Sequence, residues 1–146
     1  MFTGRTWELF WPWLVAAAVV VAWLRLGSPF PQTPDNLFSS SATVASILAS
    51  FLGVSKAIIL TIKHTPIYKA LREYGRERDL FRFLRAGIWT AVAFACLSVL
   101  GFFVSAGGDP KVSGVFNAVW IFFGAAAVFC YVRITNIMFK LLDKVN

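Results

Sequence analysis

Charge is scarce in this chain, and acidic charge scarcest of all. Only 14% of its 146 residues are charged, and Asp and Glu supply just seven of them. A soluble domain of this length needs a polar, charge-rich shell, so this composition excludes an ordinary water-soluble globule. Glu8 is the one acidic residue close to an apolar block. A proton-coupled transporter or an intramembrane hydrolase needs more ionisable equipment than that. Cysteine is also sparse. Cys96 and Cys130 lie in separate apolar runs on opposite sides of a loop, so they form neither a metal cluster nor a disulfide framework and read as small buried residues. The single histidine, His64, has no second ligand near it, and no metal is expected. There is no GxSxG, HExxH or P-loop, so the expectation is a protein without catalytic residues or cofactor.

What is present is apolar. Hydrophobic residues make up 58% of the chain and aromatics 16%, gathered into long blocks rather than spread at amphipathic spacing. A membrane-spanning helix needs about twenty mainly apolar residues. Four segments approach that: 7–24, 42–62, 86–105 and 115–132. The first lacks a clean small-residue cleavage site and reads as a span, not a signal peptide. The stretch RLGSPFPQTPDNLFSSS after it has loop chemistry, and Gly107 to Pro110 suit a tight turn between antiparallel helices. The expected fold class is all-α: one integral membrane domain over 1–146, a four-helix bundle with a basic, partly helical cytoplasmic loop at 63–85.

The formal charge of +7 belongs to topology before nucleic acid, because the basic residues flank the apolar blocks. Lys63, Lys69, Arg72, Arg76, Arg78, Arg82 and Arg85 crowd between the second and third spans, whereas the other two connections carry only Arg25 and Lys111. The positive-inside rule therefore makes 63–85 cytoplasmic and puts both termini inside. Direct nucleic-acid binding is not expected. Trp7, Trp11, Trp13, Trp23 and Trp89 fall near span ends, as an interfacial belt requires; Trp120 lies deeper.

Span two is the least lipid-like. Thr43, Ser46, Ser50, Gly53 and Ala57 share one helical face, opposite Val44, Leu48, Phe51, Leu52, Ile58 and Ile59. The small face suits either close packing inside the bundle or the lining of a pore built from several copies. Lys56 borders that face about 10 Å from the cytoplasmic end. It can snorkel to headgroups, or form a ring of charge at an inner pore mouth that favours anions. Glu8 and Arg133 lie at similar depth and could pair with each other or with Lys56. Thr90, Ser98 and Asn117 could supply interhelical hydrogen bonds. In the 63–85 loop, Ile67, Leu71 and Tyr74 share one face, as do Leu80, Phe81 and Leu84. Two short amphipathic helices on an anionic inner leaflet would satisfy both the apolar and the basic residues; docking of a cytoplasmic partner is the alternative.

The order of parts carries a resemblance. A short first span, a Pro-containing external loop and a Ser/Ala-rich second span are followed by a basic inner loop with Arg72, Glu73, Tyr74 and Gly75, then two more spans and a brief polar end. This resembles the RexB family of prophage exclusion proteins. The resemblance implies a small ion channel that depolarises the inner membrane when an intracellular phage sensor triggers it; the chain departs from that family in its loops and in Lys56. Joined to the residue pattern, the leading expectation is a homo-oligomeric channel of the bacterial inner membrane in which helix two lines the path, Lys56 tunes selectivity, and Lys69, Arg72, Arg76, Arg78, Arg82 and Arg85 face lipid or the trigger. A non-conducting scaffold that recruits a soluble partner, and a small-solute transporter, are the competing expectations.

Overall fold

The structure is a computed structural model that describes residues 3–31, 33–61, 77–106 and 110–143, with side chains over 10–31, 33–61, 80–104 and 111–139. The described residues form four helices: α1 (Thr3–Arg25), α2 (Asp35–Thr61), α3 (Glu77–Ala106) and α4 (Pro110–Asp143). Three of them contain segments long and apolar enough to cross a membrane, Asp35–Thr61, Leu80–Val104 and Lys111–Phe139, whereas the apolar part of α1, Phe10–Arg25, is shorter.

The helices run beyond the apolar windows, for reasons visible residue by residue. α2 starts at Asp35, not at position 42. The serines that read as loop are absorbed by donating back to carbonyls one turn earlier: Ser40 Oγ to Asn36 O at 2.8 Å and Ser41 Oγ to Leu37 O at 2.7 Å. α3 starts by Glu77 because its buried positions, Leu80, Leu84, Gly87, Ala91, Phe94, Ser98 and Gly101, alternate by fours and threes without a break. That is a heptad seam, and it continues straight through the expected boundary at 85. Leu80 and Leu84 therefore do not lie on a membrane surface in a separate amphipathic helix. They pack in the interior with Leu52, Ile59 and Ile134. Residues 62–76, which carry the rest of that expected loop, lie outside the described residues.

α1 ends in a Schellman motif. Ser28 N donates to Trp23 O at 3.1 Å and Gly27 N to Leu24 O at 3.3 Å, with Gly27 at φ 84. The chain then crosses toward the start of α2, held by Trp23 Nε1 donating to Pro29 O at 3.1 Å.

The core belongs to three helices. α2 contributes Phe38, Ala45, Leu52 and Ile59, spaced by sevens, against the α3 seam and a stripe of α4. One end is aliphatic, centred on Leu52, Leu84 and Ile134; the other is aromatic, centred on Phe38, Phe94 and Trp120. Close approach is enforced where a side chain would not fit. A Cβ on Gly101 would come 2.7 Å from the Phe38 ring, and one on Gly124 2.8 Å from Phe94. α1 stands outside this core and docks on α4, with Pro12 and Ala16 buried, Trp11 edge-on to Phe129 at 5.8 Å and Trp13 tilted on Phe122 at 5.8 Å. The arrangement is thus a three-helix core with α1 attached to its α4 side, rather than four helices sharing one axis.

Candidate functional site: the free face of helix two

The buried stripe of α2 fixes what its opposite side can do. At about 100° per residue, Thr43, Ser46, Ser50, Gly53 and Ala57 point away from Ala45, Leu52 and Ile59, and every one of the five is exposed. Close packing against the chain's own helices, one of the two sequence-based expectations, is therefore not what this face does. Two of its supposed lipid-facing opposites, Leu52 and Ile59, are instead core residues. The small face also extends further than the sequence pattern suggested: Ser39 and Thr61 are exposed and in register with it. From Ser39 to Thr61 it covers about 33 Å at the helical rise, the full height of a bilayer hydrocarbon core.

Three of the hydroxyls on this face are preset. Thr43 Oγ1 donates to Ser39 O at 3.0 Å, Ser46 Oγ to Ala42 O at 2.8 Å and Thr61 Oγ1 to Ala57 O at 3.0 Å. Each proton is used within the helix, and the hydroxyl oxygen keeps acceptor capacity toward whatever covers the face. Beside Ser46 and Ser50, a shallow groove of about 620 Å³ runs along Ile47, Phe51 and Val54.

Lys56 is exposed on the flank of this face. Its depth follows from the packing. Leu52 meets Gly87, with its Cδ1 3.1 Å from where a Cβ on Gly87 would sit, and Ile59 clusters with Leu80 and Leu84. Lys56, between Leu52 and Ile59, is therefore level with residues 83 and 84 of α3. Arg133 of α4 belongs to the same tier, because its guanidinium stacks 3.5 Å from the Phe83 ring centroid. Arg82 and Arg85 are exposed beside it, and Trp89 follows one turn further in. Lys56 is thus one member of a basic tier with an aromatic rim, not a solitary charge.

The remaining expected residues divide. The Glu8 and Arg78 side chains and Lys69, Arg72 and Arg76 lie outside the described residues, and with Glu8 so does its expected pairing with Arg133. Of the three residues expected to bond between helices, Ser98 does so: Trp120 Nε1 donates to Ser98 Oγ at 3.0 Å, and Ser98 Oγ donates on to Phe94 O at 2.9 Å. Trp120, deep by sequence, is there to close that link. Thr90 donates within its own helix, to Ala86 O and Gly87 O at 2.9 Å, and also shares a side-chain hydrogen bond with Cys130 of α4. Asn117 is buried without such a bond. Among the described residues no group of His, Cys, Asp and Glu could hold a metal ion.

These features define a helical protein with three helices long and apolar enough to cross a membrane and an exposed small, polar helix face. Comparison with known proteins finds no matching family model, no similar curated protein and no similar solved structure.

Proposed function

We propose that the chain is a homo-oligomeric ion channel of the bacterial inner membrane, with copies meeting around the free face of α2. The observation that carries this reading is the unbroken small, hydroxyl-bearing face from Ser39 to Thr61, exposed along its whole length. Lipid gains nothing from such a face. Small residues let helices of neighbouring copies approach closely, and hydroxyls on a shared axis keep a path wet for hydrated ions, leaving charge preference to the basic tier. In this reading α1 crosses as a fourth span braced on α4, and both termini are cytoplasmic by the distribution of basic residues.

The basic tier of Lys56, Arg82, Arg85 and Arg133 would sit at the inner headgroups and bias the inner mouth toward anions. The resemblance to prophage exclusion proteins extends the proposal to a depolarising, phage-triggered effector, with residues 63–76 facing a cytoplasmic sensor. A transporter finds less support, because the space between helices of one chain is filled by Phe38, Phe94 and Trp120 at the outer end and by Leu52, Leu84 and Ile134 at the inner end.

Purified protein in planar bilayers tests the proposal. Discrete conductance, with anion preference reduced by Lys56→Leu and conductance abolished by Ser50→Leu, is the expected result. A stable oligomer that never conducts under any activator overturns the channel and leaves a membrane scaffold.

A further inference from the structure

A second feature lies at the other end of the molecule, independent of the α2 face. Where the α1–α2 connection crosses the outer helix ends, it roofs a pocket of about 300 Å³ whose walls include Phe30, Pro34, Phe38 and Phe116. Two polar side chains reach it, Ser113 and Asn117, one turn apart on the same face of α4. Asn117 is only 7% exposed. Among the described residues the one fully enclosed side-chain atom without a partner is Thr135 Oγ1; the Asn117 carboxamide, which has no hydrogen bond to a described residue, keeps an open side, and it lines the pocket, where an occupant can pair with it. Asn117 lies about 9 Å along α4 from Lys111, an exposed residue near the helix start. The pocket therefore opens at the level of the outer interface, where amphiphiles concentrate.

The chemistry of the walls specifies the occupant. Every described residue of the lining is neutral, so none of them offers an ion a counter-charge. Aromatic and proline surfaces favour a flat apolar body, and the volume is at the small end of ligand sites. The carboxamide offers two donors and an acceptor. We infer that this pocket binds a small neutral amphiphile, an aromatic or compact apolar body bearing one carbonyl or hydroxyl that pairs with Asn117. A free metabolite of this kind and the ester carbonyl of a membrane phospholipid share that chemistry.

Selective ¹⁵N-asparagine labelling reads the site directly, since the chain has only four asparagines, Asn36, Asn117, Asn136 and Asn146. The Asn117 side-chain amide is assigned from the signal lost in Asn117→Leu. Titrating benzamide into the protein in maltoside micelles should give a saturable shift at Asn117 and none at Asn136. Toluene, the same body without the hydrogen-bonding group, should give at most a tenth of it. Val104→Phe, which fills the pocket and keeps the amide, should abolish the shift while Asn36 and Asn136 signals stay in place. If the occupant is a lipid ester, moving to phospholipid nanodiscs shifts Asn117 before benzamide is added and weakens benzamide at least tenfold; if it is a free amphiphile, nanodiscs leave the titration unchanged. No saturable shift in either medium, or an equal response to toluene, overturns the inference and leaves the pocket to water.

Discussion

At the level of single residues, the buried hydroxyls of Ser55, Thr90 and Ser98 are spent on geometry. The indole of Trp120 would be an unpaired donor in the core without Ser98, so Ser98→Ala should lower stability by about 1 kcal/mol, the usual range for a hydrogen bond between membrane helices. Unfolding in graded denaturing detergent would measure it, and Ser98→Thr should restore most of the loss if it can reach the indole. Glycine positions separate in the same way. Gly101→Ala and Gly124→Ala push a Cβ into the rings of Phe38 and Phe94, and overpacking of that kind costs about 1–3 kcal/mol. Gly53→Ala meets nothing within 4 Å in a single chain. The monomer should tolerate it, or gain up to about 1 kcal/mol from the removal of a helix-interior glycine.

At the level of elements, α2 has two faces with different tasks. The heptad stripe of Phe38, Ala45, Leu52 and Ile59 holds it to α3 and α4, and the small face opposite is left free. Gly53→Leu should therefore leave the melting behaviour of the monomer unchanged while dispersing the proposed oligomer; cross-linking in native membranes distinguishes that from an oligomer built on another helix. α3 makes the complementary point in its N-terminal half. Leu84 is fully buried and Trp89 is 65% exposed, so Leu84→Ala should cost about 2–5 kcal/mol, whereas Trp89→Ala should leave thermal stability nearly unchanged and alter depth in the bilayer. Fluorescence quenching by depth-calibrated lipids would show the second effect.

At the level of the molecule, the three-helix core and the attached α1 form parts of unequal strength. α1 is held mainly through Trp11, Trp13 and the small surface at Pro12 and Ala16, without a seam of its own in the core. Trp11→Ala with Trp13→Ala should raise amide exchange in α1 by more than tenfold while the amides of Leu84 to Ser98 stay protected. A uniform rise throughout the chain would mean that all four helices unfold as one unit.

Composition, apolar blocks and the bias of basic residues were enough to specify an all-helical chain with membrane-crossing segments, because the bilayer requires helices of fixed length and tolerates little charge. The small face of α2 could also be read off, since it needs only helical spacing. Which side of α2 packs was not legible. In lipid both the packed and the exposed faces of a helix are apolar, so the contrast that marks a buried face in water disappears. For the same reason the start of α3 was misplaced: Leu80 and Leu84 stand among arginines and look interfacial until Leu52, Ile59 and Ile134 are brought against them. Asn117 gave no local signal either, since its burial depends on a connection that crosses from α1 to α2 over the ends of the other two helices. Chain order and hydropathy decided what this protein is made of, and only tertiary packing decided which face of α2 was left free.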